Sequence, residues 1–225
     1  MARENYQQQL DSLTGEVEAM AELVADRYEM ALEAAATGDR RLAEQVIQGD
    51  SEINDRYLEL EKECTDLIAL QQPVAGDLRL ITASFKIITD LERIADLATN
   101  LADHTRAGHE GIHPAVDLAA LGTTAGEMVE AAVAAYEAGD PVACRTVAAR
   151  DDELDDDCDR TTKAIIRTLL ETVDSADAEG HPEPALTAAS RGLLTVRDIE
   201  RVGDHAVNIA ARVLYMVETD DELLY

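Results

Sequence analysis

The sequence predicts an all-α protein of two tandem three-helix bundles related by internal pseudo-symmetry, and three observations carry that expectation. The first is an aliphatic interior. Of the 225 residues 46% are hydrophobic but only 3% aromatic, with no Trp and a single Phe, Phe85. The second is sparse punctuation, five Pro and twelve Gly, as long helices require when an interior Gly costs about 1 kcal/mol and a Pro about 3 relative to Ala. The third is self-similarity at long period. Ala36-Thr37-Gly38-Asp39 returns as Glu137-Ala138-Gly139-Asp140, and Asp50-Ser51-Glu52-Ile53-Asn54-Asp55 as Asp151-Asp152-Glu153-Leu154-Asp155-Asp156, both 101 positions on. Asp90-Leu91-Glu92-Arg93-Ile94-Ala95-Asp96 returns as Asp198-Ile199-Glu200-Arg201-Val202-Gly203-Asp204, 108 positions on. The second copy therefore holds seven extra residues, which belong in the Pro- and Gly-bearing stretch 174–184.

Helix limits follow from the breaks. Helices are expected over 8–37, 39–71, 74–107, 114–138, 141–173 and 185–218, interrupted at Gly38, Gln72-Pro73, Gly108 to Pro114, Gly139 and the 174–184 stretch. Pro141 falls in a first turn, where its missing N–H leaves no bond unmade. The Gly/His-rich segment 108–113 separates the repeats, giving units 1–108 and 109–225.

The formal net charge is −28, from 47 acidic and 19 basic residues, only three of which are lysine: Lys62, Lys86 and Lys163. Such a surface repels phosphate backbones, so no nucleic acid is expected as a partner. Abundant Asp and Glu with little Lys is also what a salt-rich cytoplasm favours, because screening relieves self-repulsion. No stretch approaches the ~18 apolar residues of a membrane span, and no leader pattern opens the chain. The three cysteines, Cys64, Cys144 and Cys158, form no C-x-x-C pair and read as reduced core thiols. A cytoplasmic location is expected, with membranes reached only through partners.

The third helix of each repeat carries acids where its periodicity calls for apolar side chains. Leu78, Ile81, Phe85 and Ile88 lead to Glu92, Ala95 and Thr99, while Leu186, Ala189, Leu193 and Val196 lead to Glu200, Gly203 and Val207. Asp96 and Asp204 follow one turn later. On the second helices, Asp50 and Asn54 interrupt one apolar seam, and Asp151 and Asp155 the other. In an antiparallel hairpin, facing residues mirror each other about the turn. Glu92 mirrors Asn54 and Asp96 mirrors Asp50 about Pro73; Glu200 mirrors Asp155 and Asp204 mirrors Asp151 about the point between 177 and 178. Two facing acidic stripes result, although nothing in the repeat alignment demanded it.

Two like charges about 4 Å apart repel by roughly 4 kcal/mol at an effective dielectric near 20. Either protons or cations must answer them. An all-oxygen donor set suits hard cations, namely iron, Mn, Mg or Ca, and bridging carboxylates can serve several ions. The metal residues so expected are Asp50, Asn54, Glu92, Asp96, Asp151, Asp155, Glu200 and Asp204. The competing reading is a solvated acidic face bridged by Arg93, Arg197 and Arg201, which explains one such motif better than four in facing register. His205, beside Asp204, is expected to be a satisfied boundary histidine. His104, His109, His113 and His181 show no ligand spacing. Tyr57 and Tyr136 read as core or boundary residues.

Pro73-x-x-x-Asp77-Leu78-Arg79, Lys86-Ile87-x-x-Asp90-Leu91-Glu92-Arg93-Ile94-x-Asp96 and Glu200-Arg201-x-Gly203-Asp204-His205-Ala206-x-Asn208-Ile209-Ala210 resemble the PhoU family, the regulatory proteins of phosphate transport. The resemblance runs over residues 8–218 and both repeats. It implies two similar three-helix bundles side by side, with multinuclear iron or related clusters on the acidic motifs. It also implies regulation rather than catalysis: restraint of high-affinity phosphate uptake through the phosphate ABC transporter's ATPase and a sensor kinase, by a homodimer. Two departures stand out. Asn54 replaces an acid, and Ala95 stands where the second copy has Gly203. A ferritin-like di-iron oxidase would need Glu-x-x-His pairs on facing helices. None lies on an expected helix, since Glu110-x-x-His113 falls between the repeats. A metal-free helical adaptor is the remaining alternative.

Overall fold

The computed structural model describes residues 2–106, 118–175 and 183–224. It holds α1 (Ala2–Thr37), α2 (Arg40–Gln71), α3 (Ala75–Arg106), α4 (Leu118–Ala138), α5 (Pro141–Ser175) and α6 (Glu183–Glu218), with no strand among the described residues. Each run of three packs mutually, α1 with α2 and α3, and α4 with α5 and α6. The bundles meet where α3 lies on α6 and α1 on α4.

The repeated turns have repeated causes. Gly38 and Gly139 end α1 and α4 at φ +69° and +59°, a left-handed conformation that Gly adopts without a Cβ clash. Asp39 and Asp140 then cap the next helices. Asp39 Oδ1 accepts from Arg41 and Leu42 N–H at 2.8 and 3.1 Å, and Asp140 Oδ1 from Val142 and Ala143 N–H at 2.8 and 3.2 Å. Gln72, at φ +50°, closes α2 immediately before Pro73.

The core is aliphatic throughout: Leu13, Val17, Met20, Val24, Ile81, Ile88 and Leu91 in the first bundle, and Met128, Ile199, Val202, Ile209 and Val213 in the second, are all fully enclosed. Cys64, Cys144 and Cys158 are free and buried. Where the bundles join, the buried Tyr136 and Ser84 hydroxyls share a 2.7 Å hydrogen bond. α3 runs antiparallel to α6. The Arg79 guanidinium at the start of α3 donates to the Met216 carbonyl near the end of α6 at 3.3 Å, while Asp90 and His205 meet mid-helix. The α2–α3 and α5–α6 turns therefore point to opposite ends of the molecule.

Helix α1 starts at Ala2, six residues earlier than the spacing predicts. Tyr6 packs on the core and Leu10 is buried, so the stripe of Leu13 and Val17 continues one more turn toward the N-terminus. The expected start of α4 at 114, the 108/109 boundary and the mirror point between 177 and 178 lie outside the described residues. Among the described residues no helix is long and apolar enough to cross a membrane.

Candidate functional site

In the second repeat, α6 presents glycine where α5 comes close. A Cβ on Gly192 would stand 3.1 Å from Ile165 Cδ1, and one on Gly203 would stand 2.6 Å from Leu154 Cδ2 and 2.9 Å from Asp151 Oδ1. Gly203 thus lets the Asp151 carboxylate tuck against the α6 backbone, one position from its expected mirror Asp204. Asp151 and Glu200 are half-buried; Asp155 and Asp204 are exposed. Asp151 Oδ1 is itself buried without a hydrogen-bond partner.

Electrostatics tie the four together. Burial pushes the Asp151 carboxyl up to about 7, and the charges of Asp155, Asp204, Asp152 and Glu200 add to it. Glu200 is raised by burial and then by Asp155 and Asp204; Asp155 by burial and then foremost by Asp204. Cys158, one turn beyond Leu154, is held at about 12, by burial first and then by Glu200, Asp155, Asp151 and Asp204. Among the described residues no Arg or Lys forms an ion pair with any of the four acids.

The first repeat brings its equivalents together but neutralises them from within. Asn54 Nδ2 donates to Asp50 Oδ2 at 2.8 Å and Thr99 Oγ1 to Asp50 Oδ1 at 3.3 Å. Arg93 reaches Glu92 at 3.4 Å and Asp96 at 3.1 Å. Glu92 is raised by burial and by Asp96, against Arg93, with Asp50 raising and His205 lowering it further. The two stripes therefore differ: one holds four carboxylates without a cation, the other three carboxylates, an amide and an arginine.

The acids sit at the rim of the seam rather than inside it. Glu92 and Asp96 side chains are 18% and 42% exposed, while Leu91, Ile94, Ala95 and Ala98 take the enclosed positions. Helix α3 touches α1, α2 and α6, and a helix with three neighbours buries a wider arc than the single-seam pattern assumes. Among the described residues no three His, Cys, Asp or Glu side chains stand at ligand spacing around one point. In chemistry, however, the second stripe fits a hard cation: all-oxygen donors, uncompensated charge and the orphaned Asp151 oxygen.

Sequence reasoning missed a polar link between the repeats. His205 Nδ1 lies 2.9 Å from Asp90 Oδ1, and Asn208 Nδ2 donates to the same oxygen at 3.3 Å. Asp198, the counterpart of Asp90, is buried; burial raises its carboxyl while His104, Arg201 and Arg197 oppose the rise. The signal was available, since both aspartates open the repeated block, but an alignment of repeats does not show that they face across it.

The PhoU domain family matches residues 17–105 and again 118–213. The "Phosphate-specific transport system accessory protein PhoU homolog" of Synechocystis is 33% identical over 217 residues, spanning 96% of this chain and 92% of that protein. The homolog of the same name from Pseudomonas aeruginosa is 32% identical, spanning 97% of this chain and 87% of its own length. The crystal structure of PhoU from P. aeruginosa superposes with a TM-score of 0.86 at 28% identity, covering 96% of this chain and 100% of that one. A regulatory PhoU from Streptococcus pneumoniae shares the fold, with a TM-score of 0.84 at 24% identity and 96% and 98% coverage.

Proposed function

This chain belongs to the PhoU family, and from that premise we propose that it restrains high-affinity phosphate uptake when phosphate is plentiful. It acts by docking, on the ATPase of the phosphate ABC transporter and on a sensor kinase where the host has one, at the cytoplasmic face of the membrane. The observation that carries this reading is the near full-length match, in both directions, to relatives named as accessory proteins of phosphate-specific transport. No catalytic step is assigned to it.

Within that role, Asp151, Asp155, Glu200 and Asp204 are the residues that would hold a hard cation, iron foremost and otherwise Mn, Mg or Ca. Bound there, a cation would supply positive charge to a rim that otherwise repels anions. Asp151 contributes its unpartnered oxygen, and Gly203 the space beside it. Asp50, Asn54, Glu92 and Asp96 form the weaker set, because Arg93 and Asn54 already occupy their oxygens. For that stripe the metal-free alternative keeps specific support.

Deleting the gene tests the assignment. Phosphate uptake in phosphate-rich medium is expected to stay at its starved level in the deletion strain and to fall again on complementation. Uptake unchanged by the deletion, in a genome without a second related copy, would refute the regulatory role.

A further inference from the structure

Helices α3 and α6 keep one register along their length. Arg79 reaches the Met216 carbonyl and Asp90 meets His205, and the same antiparallel register sets Ala83 opposite Arg212, Ile94 opposite Arg201 and His104 opposite Arg191. Helix α3 packs on α1, α2 and α6, and α6 on α3, α4 and α5. Among the described residues nothing therefore covers the α3–α6 groove on the side away from α1 and α4.

That groove gathers positive charge that the rest of the surface lacks. Arg79, Lys86 and Arg93 recur every seven residues along its α3 wall, which keeps them on one flank of the helix. Arg201, His205 and Arg212 follow the α6 wall at spacings of four and seven. Two acids enter the groove, and neither pairs with Lys86, Arg201 or Arg212: Asp90 is taken by His205 and Asn208, and Asp198 is buried. Arg93 leans outward to Glu92 and Asp96. Lys86, exposed, and Arg201 and Arg212, half-buried, form no ion pair among the described residues. Donors are left over as well, since Arg191 Nη1 and Arg212 Nε are buried without a hydrogen-bond partner, a costly state unless an acceptor arrives. In a chain of net charge −28, cations left unanswered on one seam call for a partner that brings the acids.

We propose that the α3–α6 groove docks an acidic helix of a partner protein, whose carboxylates, one and two turns apart, meet Lys86, Arg201 and Arg212. This rests on the docking role proposed above and gives that role a surface. A helix with acids at i, i+4 and i+7 presents them on one face, and so fits between two walls whose cations repeat at the same spacings. A nucleic acid fits worse, because its unbroken phosphate charge meets Glu92 and Asp96 beyond one wall and Glu200 and Asp204 beyond the other.

Fluorescence anisotropy on the full chain tests this, with a labelled alanine-based helical peptide bearing Glu at i, i+4 and i+7. The salt is the lowest, from about 0.15 M upward, at which the chain stays folded, so that screening over ~8 Å removes the long-range repulsion and leaves the contacts in the groove. The wild type is expected to bind this peptide at least about tenfold more tightly than one with Gln in place of Glu. Lys86→Glu and Arg212→Glu are each expected to weaken binding about tenfold or more at unchanged helical circular dichroism, and Arg212→Lys to retain it. If Arg212→Glu loses helix, Lys86→Glu, at an exposed position, decides alone. A wild type that does not distinguish the two peptides, or a folded charge-reversal variant that binds as the wild type does, would overturn the proposal. So would oligothymidylate that binds more tightly than the Glu peptide and fails in the same variants, since the groove would then serve a nucleic acid. The measurement involves no transporter, so its failure leaves the regulatory role standing, and a failed deletion test leaves the affinity of the groove standing.

Discussion

Replacing Glu200 by Gln together with Asp204 by Asn is expected to abolish most of the iron or manganese that the chain takes up, whereas Glu92→Gln with Asp96→Asn is expected to remove little. The two stripes differ in how much of their charge is already answered from within. In the second stripe four carboxylates raise one another's proton affinity, and none is paired to a base among the described residues. In the first, an ion would have to displace Arg93 from Glu92 and Asp96 and Asn54 from Asp50. Exchanging a carboxylate for an amide removes a full charge and a bridging donor. The second stripe should therefore bind at least about tenfold more tightly, a difference of ~1.4 kcal/mol. Titration with Fe(II) or Mn(II), with metal content read by mass spectrometry, measures it. Equal affinities, or tighter binding by the first stripe, would mean that geometry rather than charge governs the sites.

Asp151→Asn is expected to stabilise the chelator-treated protein at neutral pH. An ordinary Asp titrates near 3.8, and burial with four acidic neighbours carries this one to about 7. The raised folded-state value means that the stabilisation, complete below about pH 4, is lost as pH rises through about 7. The metal-free wild type should accordingly melt at progressively lower temperature from pH 5 to pH 8, and the Asn variant should melt along a flatter line. A displacement of that size would be worth roughly 4 kcal/mol for a wholly buried group. Asp151 is only half-buried, and solvent screening reduces the figure to about 2 kcal/mol. For a chain of this length that is roughly 4–8 °C at neutral pH. Thermal melts by circular dichroism at low salt read it directly, because added salt mutes the repulsion. A variant that melts at or below wild type across the range would show that the Asp151 carboxylate is not a source of instability. With metal restored the order should reverse, since the ion then binds the folded wild type and not the variant.

Much of this architecture is written locally. Gly38 and Gly139, each followed by a capping aspartate, mark the repeat because a left-handed turn and an N-cap each admit few residue types. The mirroring of Asp151 on Asp204 gave the register of α5 on α6 to within one residue, since Asp151 Oδ1 lies against Gly203, the position beside Asp204. The departure at Asn54 set the two stripes apart, and its amide does donate to Asp50. Arg93 straddles Glu92 and Asp96, the bridging expected of it in the reading of the stripe as a solvated acidic face. Other features depend on the whole assembly. The acids lie at the rim because α3 has neighbours on three sides, which a single helical period cannot express. The link from Asp90 to His205 and Asn208 joins positions 115 and 118 apart, and no local pattern connects them.

The proposed role requires this chain to hold on to the phosphate transporter. Affinity purification of the tagged protein from phosphate-replete and phosphate-starved cells, read by mass spectrometry, tests it most directly. The account predicts that the transporter's ATPase subunit co-purifies, and more abundantly from replete cells, where uptake is restrained. Recovery of the tagged chain without any phosphate-transporter subunit, in either condition and after mild cross-linking, would contradict it.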